Sequence, residues 1–116
     1  MLRLYHNPRC SKSRQALELL EAAGKQPEII KYLEEPFDKE RLQKLIDKLG
    51  LRAMDLLRRN EQAFKTLGLG REGTTDADAF EALLTQPKLL QRPILEVDDR
   101  ALIARPPERV HELLSD

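Results

Sequence analysis

The sequence predicts an α/β domain in which a mixed four-stranded sheet is flanked by helices. The first observation is that apolar runs typical of strands alternate with amphipathic helical patterns in the first half of the chain. The second is that short helical patterns separated by glycines fill the middle third. The third is that two adjacent strand patterns and one helical pattern end the chain. A chain of this length favours one domain, predicted over residues 1–116.

The first half of the chain predicts the order strand, helix, strand, helix. An apolar run over residues 2–5 predicts a short strand, and the helical pattern after the next turn continues to Gly24. Residues 28–32 predict the second strand. Asp38 begins the second helix, whose apolar residues recur at i, i+3, i+4 and i+7 until Gly50 ends it.

The middle third predicts a helical insertion at about residues 52–88. Its Thr-Asp-Ala-Asp run, which begins at Thr75, resembles a capping box with aspartate in place of glutamate and predicts a helix start. Residues 94–97 and 101–104 flank a compact charged turn and therefore predict an antiparallel hairpin. A double proline at 106–107 begins the last helix.

This order of elements, β-α-β, a helical insertion and β-β-α, is that of the thioredoxin fold. In that fold a cis-proline stands opposite the active thiol, and Pro93 occupies the corresponding place immediately before the third strand. About 5–6% of X–Pro bonds in folded proteins are cis, so the sequence alone leaves the isomer open. The position of Pro93 favours the cis isomer.

Cys10, the single cysteine, lies where the first strand pattern gives way to the first helix. A helix N-terminus offers unpaired N–H groups and the positive end of the dipole, and Arg9, Lys12 and Arg14 add positive charge nearby. These features favour the thiolate, which is the nucleophilic form. Free cysteines are often buried and inert, but no apolar periodicity places this one in a core. The sequence therefore predicts a reactive thiol in surroundings that attract an oxyanion.

Composition narrows the classes of partner and ligand. Twenty basic residues balance 20 acidic ones, so net charge favours neither nucleic acid nor an anionic membrane as a partner. No apolar stretch reaches the length of a membrane span. A lone cysteine excludes an internal disulfide and a CxxC zinc site, and no metal is expected. Because a thiol kept for chemistry suits a reducing compartment, we expect a cytoplasmic protein.

The chain resembles the glutaredoxin-coupled arsenate reductases over essentially its full length. Four segments carry the resemblance: Tyr5-His6-Asn7-Pro8-Arg9-Cys10-Ser11-Lys12-Ser13-Arg14, Leu56-Leu57-Arg58-Arg59-Asn60-Glu61, Gln91-Arg92-Pro93-Ile94 and Ile103-Ala104-Arg105-Pro106. The resemblance implies that Cys10 is the nucleophile. It also implies that Arg58, Arg92 and Arg105 surround the bound oxyanion. Guanidinium groups suit that role, because each stays charged and can pair two oxygens at once.

Further residues around the thiol are candidates for roles at the site, and for His6 the role is implied by the resemblance. His6 is implied to help hold the thiolate, and the alternative is that it merely ends the strand. Ser13 takes the place of the second cysteine of a CxxC motif, where its hydroxyl can donate to the thiolate or to the helix end. Asn7 and Pro93 are expected to support the loop. Asn7 can shape the loop or donate to the oxyanion, and turn formation is its favoured role.

The implied reaction is reduction of arsenate to arsenite, begun by attack of Cys10 on arsenate. Since the chain has no second cysteine, an external thiol must complete the reaction. The resemblance implies glutathione as co-substrate, glutaredoxin as protein partner and no tightly bound cofactor.

Two other classes of function stay open. One is a glutathione-dependent thiol-disulfide reductase, and the other is a non-enzymatic regulator that docks on RNA polymerase. Three arginines around one thiol favour an inorganic oxyanion over a peptide. The Cys-Ser-Lys-Ser run at 10–13 lacks the CxxC motif that redox-sensing relatives carry, which argues against a sensor.

Overall fold

A computed structural model describes residues 2–35 and 37–114. The predicted domain also includes residues 1, 36, 115 and 116, which lie outside the described residues. The chain divides into two compact units, Met1–Glu35 with Arg92–Asp116 and Pro36–Gln91. No helix within the described ranges is long and apolar enough to cross a membrane.

The first unit contains the sheet. Its elements are β1 (Arg3–Tyr5), α1 (Ser11–Ala22), β2 (Glu28–Ile30), β3 (Ile94–Glu96), β4 (Ala101–Ile103), a 3₁₀ turn at Pro107–Val110 and α5 (His111–Leu114). The strand order is β2-β1-β3-β4, in which β1 is parallel to β2 and antiparallel to β3, and β3 is antiparallel to β4. The predicted mixed four-stranded α/β sheet is therefore confirmed.

Each strand is shorter than the apolar run that predicts it. The second strand stops at Ile30, because the N–H groups of Glu34 and Glu35 both donate to the carbonyl oxygen of Lys31, each at 2.9 Å, and turn the chain away from the sheet. A predicted strand over residues 28–32 thus becomes a strand of three residues followed by a turn.

The register of the sheet brings several chain connections to one edge. Tyr5 lies beside Ile30 on one neighbour and Ile94 on the other, and Ile94 lies beside Ile103. The C-terminal ends of β1, β2 and β4 therefore meet the N-terminal end of β3. The β1–α1 loop, residues 6–10, leaves the sheet at this edge.

The two faces of β1 carry different side chains, because successive residues of a strand point to opposite sides. Leu4 belongs to the apolar core that packs the sheet on α1 and the C-terminal segment; its other buried members are Ala16, Leu20, Leu95, Leu102, Ala104 and Val110. On the opposite face, the Tyr5 hydroxyl donates to the Glu96 carboxylate at 2.7 Å, and Arg3 Nη1 lies 3.7 Å from the same oxygen. These partners compensate the burial of the Glu96 charge.

The second unit is helical. Its elements are α2 (Lys39–Leu49), a 3₁₀ turn at Ala53–Leu56, α3 (Gln62–Thr66), α4 (Asp76–Thr85) and a 3₁₀ turn at Pro87–Leu89. The predicted capping box is confirmed, since the Thr75 N–H donates to Asp78 Oδ2 at 3.0 Å and the Asp78 N–H donates to Thr75 Oγ1 at 3.2 Å. Gly50 ends α2 with a φ of 67°, a conformation that glycine adopts without the strain of a side chain.

Candidate active site

The β1–α1 loop places the thiol at the start of a helix. The Asn7 side-chain oxygen accepts from the Arg9 N–H at 3.0 Å, and the Asn7 carbonyl oxygen accepts from the Cys10 N–H at 2.9 Å. Arg14 donates from Nη1 to the Pro8 carbonyl oxygen at 2.9 Å, which ties the loop to the second turn of α1. These bonds set Cys10 at the N-cap position of α1.

Cys10 is half-buried, and its side chain makes no capping hydrogen bond. Burial is the largest single influence on the thiol and opposes ionisation, yet the pKa of Cys10 is below its ordinary value of 9.0. The backbone N–H groups of Ser13 and Lys12 and the guanidinium of Arg92 outweigh burial, because each stabilises the thiolate. The site therefore favours the nucleophilic form of the thiol.

A buried hydrogen-bond network supports the loop. Ser13 Oγ lies 2.6 Å from His6 Nδ1 and accepts from the Asn7 N–H at 3.1 Å. Burial, and then the charges of Lys31 and Arg14, lower the pKa of His6 from 6.5, so the ring is neutral at about pH 7. The Ser13 hydroxyl thus contacts His6 and the loop backbone, whereas the Ser13 group that stabilises the thiolate is its N–H.

Two of the predicted arginines reach the same edge of the sheet as Cys10. Arg92 precedes β3, and its guanidinium helps to lower the pKa of Cys10, because it stabilises the thiolate. Arg105 follows β4, is exposed, and donates from Nη1 to the Arg92 carbonyl oxygen at 3.1 Å. Both arginines precede a cis peptide bond, to Pro93 and Pro106 respectively. The cis isomer favoured for Pro93 is thus present.

The third predicted arginine, Arg58, lies in the second unit. Its side chain is 17% exposed, and Nη1 pairs with the carboxylate of Glu61. The Arg58 N–H donates to the Leu89 carbonyl oxygen at 2.6 Å. Its neighbour Arg59 instead lies over the Phe64 ring, 5.7 Å from the ring centre. The two adjacent arginines, which spacing alone does not distinguish, therefore have different partners.

Sequence reasoning missed two groups near the thiol loop. Arg14 was expected only as a nearby charge, but its bond to Pro8 also holds the loop. Lys31, which follows β2, was not expected at all, although its charge acts on His6. The parallel β-α-β pattern was the available signal, because it brings the residues after the first and second strands to one edge of the sheet.

The fold and site define a thioredoxin-like protein with one activated thiol at the start of its first helix. The ArsC family model matches residues 5–113, and the chain belongs to the ArsC family. The uncharacterized protein YfgD of Escherichia coli K12 is 41% identical over 114 residues, which cover 97% of this chain and 96% of YfgD. An arsenate reductase of Neisseria meningitidis serogroup A is 39% identical, with 97% of each chain covered. The structure of an arsenate reductase from Vibrio cholerae is 43% identical, has a TM-score of 0.91 and covers 96% of this chain and 95% of that one.

Proposed function

We propose that the chain reduces arsenate to arsenite and that Cys10 is the nucleophile. The observation that carries the proposal is a half-buried thiol at a helix start whose pKa is lowered by two backbone N–H groups and by Arg92. The arsenate reductases of Neisseria meningitidis and Vibrio cholerae, which are similar along nearly the whole chain, support arsenate as the substrate.

The first step is attack of the Cys10 thiolate on arsenic. Arsenate is an anion at neutral pH, so its approach to a thiolate opposes two negative charges. The Arg92 guanidinium, which stabilises the thiolate, offsets this repulsion and can pair with arsenate oxygens. An S–As bond forms and an As–O bond breaks, with the leaving oxygen departing as water after protonation. Arsenic remains As(V) in this adduct.

The second stage needs at least one thiol from outside the chain. Conversion of As(V) to As(III) takes two electrons, which two thiols supply as they form one disulfide. Cys10 is the single cysteine, so at least one of these thiols is external. In this proposal glutathione is that thiol, glutaredoxin resolves the mixed species that follows, and a reducing cytoplasm keeps both reduced.

The remaining arginines have proposed roles of different kinds. Arg105, which donates to the Arg92 carbonyl oxygen, positions the segment that carries the Arg92 guanidinium and adds positive charge at the same edge. Arg58 is proposed to bind arsenate as well. Its pair with Glu61 engages one of the five N–H donors of a guanidinium.

NADPH consumption tests the proposal when arsenate, glutathione, glutaredoxin and glutathione reductase are supplied together. We expect turnover that requires arsenate and is lost in Cys10→Ser. The activity of the glutaredoxin system is first established with a small disulfide. If arsenate then gives no turnover, the proposal is wrong. Arsenate-independent exchange with glutathione disulfide would instead favour the thiol-disulfide reductase.

Arginine variants test the oxyanion site. Arg92→Gln, Arg105→Gln and Arg58→Gln are each expected to raise the apparent KM for arsenate, and Arg92→Gln also to lower kcat, because its guanidinium stabilises the reacting thiolate. Arg100→Gln is the matched control, since Arg100 is exposed beside Asp99 on the β3–β4 turn, at the opposite edge of the sheet. Equal kinetics in all four variants would refute the oxyanion site.

A further inference from the structure

A cavity of about 270 Å³ lies in the first unit beside the thiol loop. We call it the loop cavity. Its walls come from the β1–α1 loop, including Arg9, and from the turn after β2, including Lys31, Leu33 and Glu34. Arg9 directly precedes Cys10, so the two Cα atoms are about 3.8 Å apart. A molecule bound in the loop cavity therefore contacts the residue that directly precedes the reactive cysteine.

The loop cavity carries charges of both signs. Arg9 and Lys31 are exposed cations, Glu34 is an exposed anion, and none of the three forms an ion pair within residues 2–35 and 37–114. His6 also lines the cavity, but its lowered pKa keeps it neutral at about pH 7. The cavity therefore offers two cationic groups and one carboxylate to a ligand.

We propose that the loop cavity binds the free α-amino acid end of glutathione, with Arg9 and Lys31 pairing with its carboxylate and Glu34 with its ammonium group. This assignment rests on the proposed function, which requires an external thiol next to Cys10. A carboxylate and an ammonium on one carbon match this mixture of charges better than a simple anion, which Glu34 would repel.

Size and polarity agree with this ligand. Pockets for drug-sized ligands have volumes of about 300–1,000 Å³, so a cavity of this volume accommodates one end of a tripeptide. Leu33 is 41% exposed and offers an apolar surface to the methylene groups between the two ends of the glutamyl residue. In this proposal the cysteinyl part of glutathione lies outside the cavity, and its sulfur attacks the adduct on Cys10.

Binding of S-methylglutathione, which has no free thiol and cannot react, tests the site by NMR titration. We expect Lys31→Gln and Glu34→Gln each to weaken binding by about fivefold, the size of a partly exposed ion pair. Lys25→Gln and Glu35→Gln are the matched controls, because both residues are exposed in the same unit and do not line the cavity. Equal affinity in all five proteins, or no binding to the wild type at millimolar ligand, would overturn the assignment.

A ligand lacking one charge tests which group pairs with which. N-acetylation of S-methylglutathione removes the ammonium, so Glu34→Gln should weaken binding of the parent ligand but not of the acetylated one. Lys31→Gln should weaken both. If Glu34→Gln affects the two ligands equally, the assigned pairing is wrong.

Kinetics separates this inference from the proposed function. With arsenate as substrate, Lys31→Gln should raise the KM for glutathione about fivefold and leave the KM for arsenate unchanged. If Lys31→Gln turns over arsenate with an unchanged KM for glutathione, the glutathione site in the loop cavity is refuted and the proposed arsenate reduction stands. If binding of S-methylglutathione depends on Lys31 and Glu34 but arsenate is not turned over, the proposed arsenate reduction is refuted and the glutathione site stands.

Discussion

Replacing Ser13 by alanine removes the hydroxyl at the centre of the buried loop network. That oxygen lies 2.6 Å from His6 Nδ1 and 3.1 Å from the Asn7 nitrogen, and Ser13 itself is fully buried. Alanine is a good helix former, so the backbone of α1 is expected to remain. The backbone N–H that stabilises the thiolate also remains. The change therefore isolates the hydroxyl.

The expected loss in the free energy of unfolding follows from the polar groups that Ser13→Ala leaves without a partner. An unsatisfied buried polar group costs about 1–3 kcal/mol, and the change deprives two such groups, on His6 and Asn7, of the hydroxyl. Some relaxation of the loop reduces the sum, and we expect a loss of about 2–4 kcal/mol in the free energy of unfolding. At about 4 °C per kcal/mol for a domain of this size, Tm should fall by about 8–16 °C.

Urea denaturation at about neutral pH, followed by circular dichroism, measures this loss. Ser11→Ala is the matched control, because Ser11 is exposed on the first turn of the same helix and should change the free energy of unfolding by less than about 0.5 kcal/mol. If Ser13→Ala is as stable as Ser11→Ala, the buried network does not hold the loop and this reasoning is refuted.

Three further predictions concern the thiol, the imidazole and the buried carboxylate. Arg92→Gln should raise the pKa of Cys10, because it removes the guanidinium that stabilises the thiolate; the pH dependence of alkylation measures it, and an unchanged profile would contradict this. Because His6 is protonated more readily in the unfolded chain than in the folded one, the free energy of unfolding should fall as the pH drops below 6.5. Urea titrations at several pH values should show a weaker pH dependence in His6→Asn. If the wild type and His6→Asn show the same pH dependence, His6 is not the cause. Tyr5→Phe removes a hydrogen bond to the buried Glu96 carboxylate and should cost about 1.5–3 kcal/mol, measured as the shift in urea midpoint; a loss below about 0.5 kcal/mol would show that other partners suffice.

The fold was largely predictable because local patterns and tertiary structure agree. The apolar spacing after Asp38 gives α2, the capping box at Thr75 gives α4, and glycine at position 50 ends α2 where the pattern stops. The ends of the strands were less predictable. Whether Lys31 continues a strand depends on the turn that its carbonyl oxygen accepts, and apolar periodicity carries no information about that turn.

The part of the candidate site that was predictable is the part whose chemistry depends on the position of a residue within its own helix. A lone cysteine at a helix start already indicates a lowered thiol pKa, and the structure gives the same direction. The choice of Arg92 required the resemblance, because it lies 82 positions from Cys10 along the chain (92 − 10 = 82) and only sheet register brings its segment to the loop. The partners of His6 were beyond sequence reasoning, since they depend on side-chain directions in a buried loop.

The groups around Cys10 have different roles, because burial has opposing effects on the thiol. Partial burial keeps water from the sulfur but raises the cost of its charge, so the site must supply compensating interactions. His6 cannot supply charge, because the same burial lowers its pKa and leaves it neutral. The compensation therefore comes from the helix N–H groups and the permanently charged Arg92, and the network of His6 and Ser13 contributes by fixing the loop on which those contacts depend. Loss of the network should appear mainly in stability, and loss of Arg92 mainly in thiol reactivity.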